Sequence, residues 1–435
     1  DVERSRGLGD VYKRQHHNRR IKMSFTDIIF YPFFFIVFFA VLIIESPFGI
    51  KIFKSNFQSV KKILLLAASY IFYGYWDYRF CFLLLFLSAS VFFCAKRLEK
   101  GKIYTFIGIV LPLIILGFFK YFNFFTDSFL TVFNIKNSLS LNIILPVGIS
   151  FYTFQSLSYI IDVKRKTIPA ETNFIDLALY IAFFPQLVAG PIVKASEFLP
   201  QLKENRTITK SSVETGIQIF VFGLFKKVVL ADNLAPFVDD AFSRTEIYSG
   251  FSILMAVIAY SFQIYFDFSG YSDMAIGCAK ILGFDFSKNF NMPYISKNVS
   301  EFWKRWHISL SSWLQSYLYI PLGGNRKGTA RTYINLLITM ILGGLWHGAN
   351  WTFIIWGLLH GAALCINKAF RKIFRHSKEY KGTTAGNIIS VIITYIFVCF
   401  CWIFFRSENL SQAIEIIKAI VLMKNGINFP YIWLI

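Results

Sequence analysis

The chain alternates long apolar stretches with short polar ones. Apolar runs long enough to cross a bilayer as helices, about 17 to 25 residues, fall near 24–45, 60–76, 80–95, 103–125, 143–161, 213–231, 251–266, 332–346, 351–367 and 387–405. This pattern predicts an all-α, polytopic transmembrane bundle of about 10–11 spans with re-entrant and amphipathic helices added. The early basic loops alternate with loops nearly free of Lys and Arg: Lys51, Lys54, Lys61 and Lys62, then Lys96, Arg97, Lys100 and Lys102, then Lys164, Arg165 and Lys166. That bias places Met23 outside and the basic loops in the cytosol. Later spans keep the alternation if 323–331 and 368–381 are cytosolic, joined by a hairpin of two spans near "HGAN".

Two regions do not read as simple spans. "FIDLALYIAFFPQLVAGPIV" (174–193) is broken by Pro185, Gly190 and Pro191, so it reads as re-entrant or cavity-lining. In 298–324, Asn298 followed by Glu301 marks a capped helix start. Trp303, Trp306, Leu310, Trp313 and Tyr317 then recur at three- and four-residue steps, with Lys304, Arg305, Ser309, Ser312 and Ser316 elsewhere on the wheel. One amphipathic helix is predicted there, lying at the interface or lining a polar cavity.

Composition agrees: of 435 residues, 55% are hydrophobic and 19% aromatic. The net charge of +20 reads as cytosolic membrane-edge lysines and arginines, and no basic stripe on a soluble fold points to nucleic acid. The six cysteines lack CxxC or Cys/His ligand spacing and read as buried small hydrophobes, with no metal site. The first 22 residues have no apolar core and read as a non-native or disordered leader before a single membrane domain, 23–435.

Of six histidines, His16 and His17 fall in the leader and His376 in a basic loop. His307, His347 and His360 remain. An imidazole in apolar sequence must find a partner, and can be a satisfied packing residue or a functional one. His347 stands out because Gly343, Gly344 and Gly348 flank it and Asn350 follows, and glycines let a backbone or a substrate come close. His307 alone reads equally as an interfacial polar residue, and His360 as a structural hydrogen-bonding one. Gln155, Gln186, Gln263, Asp267 and Asp273 are the other polar residues in apolar surroundings. Asp267 and Asp273, six apart, do not share a helix face; each is expected to pair with a cation such as Lys226, Lys227, Lys304 or Arg305. No GxSxG elbow, P-loop, HExxH or GxGxxG is present.

The blocks "FFPQLVAGPI" (183–192), "FDFSGYSDMAIG" (266–277), "NMPYISKNVSEFWKRWHISLSSWLQSYLYIPLGGNRKG" (291–328) and "LGGLWHGANWTFIIWGLLHG" (342–361) resemble, in order and spacing, the membrane-bound O-acyltransferase (MBOAT) family. The "YIPLGGNRKG" wording resembles its alginate O-acetylation branch more than the D-alanyl transferases of teichoic acid synthesis. The resemblance implies a bundle enclosing a tunnel, with a thioester donor such as acetyl-CoA or an acyl carrier protein arriving from the cytosol and a hydroxyl from the outer side. It implies that His347 of the "WHG" block is the catalytic histidine and His307 of the "WHISLS" block the second active-site residue. Members of that branch continue past 401–420 to a further span, so the chain reads as truncated at its C-terminus.

On this reading the membrane enzyme moves an acyl group, acetyl first, to an exported cell-surface polysaccharide. A neutral imidazole of pKa about 6.5 can take the hydroxyl proton, so His347 is the expected general base. His307 would orient the substrate or stabilise the oxyanion. Asn350, Trp346, Trp303, Trp306, Gln155, Asp267 and Arg326 are further candidates for substrate or tunnel contacts, Arg326 with Lys327 facing an anionic donor. No bound cofactor is expected; a secreted or periplasmic acyltransferase is a possible partner. The alternatives are acetyl or D-alanyl transfer to peptidoglycan, teichoic acid or a lipid, and a non-catalytic glycan transporter or flippase, which would show repeats of spans that are not detected here.

Overall fold

The computed structural model describes residues 23–135, 141–204, 206–374 and 383–428. The leader, His376, and the last seven residues lie outside the described residues. Among those described the fold is all-α, with one isolated bridge between Tyr248 and Ile427. Every one of the ten apolar runs contains a helix.

The chain separates into two compact units. The first comprises the described residues up to Leu224 together with Tyr271–Lys288. Its helices are α1 (Phe30–Glu45), α2 (Pro47–Phe53), α3 (Phe57–Asp77), α4 (Arg79–Ala95), α5 (Lys102–Leu116), α6 (Phe122–Val132), α7 (Ile149–Lys164), α8 (Phe174–Ala182), α9 (Phe184–Leu187), α10 (Ala195–Lys203) and α11 (Lys210–Leu224). The second takes in Phe225–Gly270 and the chain from Asn289 onward. It contains α12 (Asp232–Ser243), the first two-thirds of α13 (Gly250–Ile281), α14 (Val299–Arg305), α15 (Ile308–Leu314), α16 (Thr329–His347), α17 (Trp351–Phe374), α18 (Thr384–Arg406) and α19 (Leu410–Val421).

Fewer helices than ten have the length and apolarity of a simple span. Four qualify among the described residues: Lys102–Val132, Gly250–Ile281, Trp351–Lys372 and Thr384–Arg406; a bent pair, Phe30–Glu45 with Pro47–Asp77 at 71°, makes up to five. Geometry explains the difference. The 16 residues of α1 rise only about 24 Å at about 1.5 Å per residue, short of a hydrocarbon core about 30 Å thick. Helix α7 is equally short and buries 13 of its 16 residues in protein. The qualifying helices carry apolar side chains outward, as lipid contact requires: Ile388, Ile389, Ile392, Ile393 and Ile396 on α18 are exposed, while Val398, Cys401 and Trp402 are buried.

The helix in the proline-containing segment is broken, as its prolines predict. Helix α8 stops at Ala182, Phe183 turns the backbone, and α9 restarts at Phe184–Leu187. The segment is buried in protein, where Phe184 N–H donates to Ser69 Oγ at 3.1 Å and Gln186 Nε2 to the Tyr180 carbonyl at 2.6 Å. The same unit holds two ion pairs with little exposure, Lys61 with Glu45 at 2.6 Å and Lys62 with Asp176 at 2.9 Å.

One expectation is overturned. The stretch 298–324 is not a single amphipathic helix but α14 and α15, separated by Trp306 and His307 and followed by a π-helical segment, Gln315–Tyr319. The segment Asn289–Asn291 is bonded across the break: Ile308 N–H donates to the Asn289 carbonyl at 2.8 Å, and Asn291 N–H to the Arg305 carbonyl at 2.9 Å. These cross-links take backbone groups that a continuous helix would need. The cap is as predicted, with Asn298 Oδ1 accepting from Glu301 N–H at 3.0 Å and Glu301 Oε2 from Lys297 N–H at 3.0 Å. The apolar face survives the break, since Trp303, Trp306, Leu310, Trp313 and Tyr317 are all buried.

Candidate active site

The second unit brings His307 and His347 together, their ring centroids 6.4 Å apart and their planes at 62°. His307 caps the start of α15 with φ +44° and ψ 56°, a left-handed conformation that costs a non-glycine residue about 1–2 kcal/mol. Holding the residue there turns its ring inward, and the side chain is fully buried. Phe268 of α13 packs edge-on at 4.6 Å and Phe290 lies at 6.2 Å.

Asn289 determines what this ring can do. Its Oδ1 lies 3.2 Å from His307 Nδ1 and accepts from Ser309 N–H at 3.1 Å and Ser309 Oγ at 2.9 Å. An amide oxygen only accepts, so the hydrogen-bond pattern assigns the proton to His307 Nδ1 and leaves a lone pair on Nε2. That Nε2 is buried without a hydrogen-bond partner among the described residues. Burial also pushes the ring's pKa well below the ordinary imidazole value, which keeps it neutral.

His347 is the last residue of α16, half-buried. Its ring meets Trp346 at 4.9 Å, Trp356 at 5.2 Å and Phe405 at 5.1 Å, each edge-on. The predicted hairpin is present as a helix pair, α16 and α17 joined through 348–350, although of the two only α17 has the length and apolarity of a span. The glycines around it serve close helix packing: a Cβ on Gly344 would lie 2.1 Å from the Phe353 carbonyl oxygen, and one on Gly357 2.3 Å from that of Met340. They bring α16 and α17 into backbone contact and so fix where His347 sits.

The remaining candidates separate. Trp346 lies 5.8 Å from His307 as well as against His347. Trp306 packs on Phe290 and Trp402, each at 5.0 Å. Trp303 donates its indole N–H to His360 Nδ1 at 3.3 Å, the structural hydrogen bonding expected of His360. Asn350 is committed to backbone: Nδ2 donates to the Glu408 carbonyl at 2.7 Å and Oδ1 accepts from Thr352 N–H at 3.0 Å, capping α17. Asp267 pairs with Lys227 at 2.8 Å, one of the cations expected for it, and Lys227 also holds Asp232 at 2.7 Å. Arg326 is exposed in the loop before α16. Gln155 belongs to the other unit, where it is buried on α7. Sequence reasoning missed Asn289 and gave Trp356 no role; Asn289 sits 18 residues from His307 with no local pattern linking them. Among the described residues no group of His, Cys, Asp or Glu is arranged to hold a metal ion.

A chain helical throughout its described residues, with outward apolar faces and a pair of histidines, one buried and one half-buried, is a multi-pass membrane protein with the makings of an acid–base site. Comparison with known proteins places it within a family. The model of the membrane-bound O-acyltransferase family matches residues 128–408, and the chain belongs to that family. It is similar to the probable alginate O-acetylase AlgI of Azotobacter vinelandii, 46% identical over 365 residues, covering 81% of this chain and 71% of that protein. It is 43% identical over 394 residues to AlgI of Pseudomonas aeruginosa, covering 87% and 73%. To the peptidoglycan O-acetyltransferase of Helicobacter pylori it is 38% identical over 406 residues, covering 85% and 75%. The chain is thus an O-acyltransferase.

Proposed function

We propose that the enzyme transfers an acetyl group from a cytosolic thioester, acetyl-CoA or an acetylated carrier protein, to a hydroxyl of an exported cell-surface polysaccharide, with His347 as the general base. The observation that carries this reading is the proximity of the two histidines, one half-buried and one fully enclosed. A sugar hydroxyl is a poor nucleophile at neutral pH, and a positioned imidazole that accepts its proton contributes roughly 10² to 10⁴ in rate. His347 takes the proton as the hydroxyl oxygen attacks the acyl carbon. His307 Nε2, whose lone pair is fixed by the Asn289 bond, accepts from a second, neighbouring hydroxyl of the acceptor and so orients the one that reacts; of the two roles expected for His307, its tautomer supports this one.

The names of the alginate-acetylating relatives support a polysaccharide acceptor, and the basic early loops support a cytosolic donor. Peptidoglycan is the second reading, favoured by the Helicobacter pylori relative. A periplasmic partner acyltransferase is part of the proposal as the onward carrier of the acetyl group. Membranes containing the parent or His347→Ala are incubated with acetyl-labelled CoA and the labelled product identified. The parent labels polysaccharide and the variant loses at least 99% of the rate. A folded variant that labels at the parent rate overturns the base assignment.

A further inference from the structure

Trp303, Trp356 and Trp402 pack in one cluster, with Trp356 between the other two at 5.6 and 5.9 Å, and their indole N–H groups are treated differently. Trp303 Nε1 donates to His360 at 3.3 Å and Trp402 Nε1 to Tyr294 Oη at 3.2 Å. Trp356 Nε1 is buried and has no hydrogen-bond partner among the described residues, although the side chain is only 1% exposed. Buried indole N–H groups are normally paired, and leaving one unpaired costs about 1–3 kcal/mol. The ring is not loose: it stacks on Trp402 at 5.9 Å with planes 19° apart, and packs edge-on to Phe405 at 5.3 Å and to His360 at 4.9 Å. It also meets His347 edge-on at 5.2 Å. A rigid, desolvated donor is therefore held beside the proposed base without an acceptor.

The chemistry at this site needs such a donor. When a hydroxyl adds to a thioester carbonyl, negative charge develops on the carbonyl oxygen, and a preorganised N–H aimed at it stabilises the transition state. His307 cannot serve, because its only N–H is given to Asn289 and Nε2 presents a lone pair. Asn350 is held at the start of α17, one amide N–H donating to the Glu408 carbonyl and its oxygen accepting from Thr352 N–H.

We infer that Trp356 is a catalytic residue whose indole N–H binds the acyl carbonyl oxygen and stabilises the oxyanion; this rests on the reading of His347 as base. The acceptor oxygen forms a bond to the acyl carbon while its proton passes to His347. The carbonyl electron pair moves onto the oxygen held by Trp356. As that pair returns, the carbon–sulfur bond breaks, and the departing thiolate takes the proton from His347.

The test uses the full chain in membranes with acetyl-CoA as donor, and compares Trp356→Phe, which keeps an aromatic ring and removes the N–H, with the parent. Removing one oxyanion donor lowers kcat by roughly 10² to 10³, and the KM for acetyl-CoA stays within about two-fold, because the interaction strengthens only in the transition state. A second variant carries 3-benzothienylalanine at position 356, in which sulfur replaces the N–H at nearly unchanged size, and it decides the matter if the phenylalanine protein misfolds. The same loss of kcat in the benzothienyl protein supports the proposal. Parent kcat in it, or a rise in KM with kcat unchanged, overturns it and leaves Trp356 as packing or as an N–H resting on the His347 ring. His347→Ala is run alongside: if it is inactive while the Trp356 variants are fully active, the oxyanion role alone fails, and if it keeps the parent rate, the underlying base assignment fails.

Discussion

Asn289→Ala tests the logic of the histidine pair most directly, because one oxygen atom holds three groups. Removing Oδ1 takes the acceptor from His307 Nδ1 (3.2 Å), Ser309 N–H (3.1 Å) and Ser309 Oγ (2.9 Å). Ser309 Oγ lies 3.5 Å from His307 Nδ1 and can rotate to take over part of the bond. One or two buried N–H groups are then left without a partner, at about 1–3 kcal/mol each. The expected loss of stability is about 1–4 kcal/mol, seen as a lower Tm in detergent. The catalytic effect is separate from this. Without the acceptor the proton is free to occupy Nε2, and each molecule in that tautomer offers a donor where the neighbouring acceptor hydroxyl needs a lone pair. At about 1.4 kcal/mol per decade, a kcat lower by 10- to 100-fold is expected, with the KM for the acetyl donor little changed. Asn289→Asp keeps an acceptor and retains activity, but its carboxylate raises the pKa of His307, so its activity falls away at a higher pH than that of the parent. An Asn289→Ala protein with the parent's Tm and kcat would refute both the tautomer and the positioning role.

Other expectations are as concrete. Gly344→Ala drives a Cβ to within 2.1 Å of the Phe353 carbonyl oxygen; the α16–α17 hairpin must part, at about 1–3 kcal/mol, and a thermal melt should show it, with kcat lowered as His347 shifts. Asn350→Ala removes the ties to Glu408 and Thr352, so a loss of about 1–2 kcal/mol is expected, measured by the same melt. Asp267→Asn breaks a pair whose carboxylate is 43% exposed, so the change in stability should stay below about 1 kcal/mol and shrink further in high salt. His307 is neutral when folded, its pKa depressed by burial, while the unfolded chain protonates it near pH 6.5. The unfolded state therefore binds the extra proton as pH falls, and the stability present above about pH 6.5 is progressively lost below it. His307→Gln should flatten that slope by one proton in pH-dependent unfolding.

What could be read from the sequence follows the range of the interactions involved. Helix positions depend on local runs of apolar residues, so all ten runs contain helices, and the Asn298–Glu301 cap is where a four-residue pattern puts it. The break at Trp306–His307 was illegible because the residues bonded across it, Asn289 and Asn291, are far from the break in sequence, and no local period reports such a pairing. The number of simple spans was overread for a related reason. Apolar runs bury against protein as readily as against lipid, and α7 does the former.

His347 is the instructive residue, because one part of the argument that singled it out needs a different physical meaning. Its neighbouring glycines suggested room for a backbone or a substrate, and at Gly344 and Gly357 the structure gives that room to backbone. Glycines that serve packing do not by themselves mark a reactive histidine, since any tightly crossed hairpin needs them. The distinguishing feature is a second histidine 6.4 Å away whose tautomer is set by an amide. A packing histidine has no use for it. His360 makes the contrast within the same helix pair: it is more deeply buried than His347, its Nδ1 is taken by Trp303, and four aromatic rings enclose it. If buried imidazole alone produced activity, His360→Gln and His347→Gln would be equally damaging to kcat. The arrangement instead predicts that His347→Gln abolishes turnover, while His360→Gln, whose amide can still accept from Trp303, loses stability and keeps a measurable kcat.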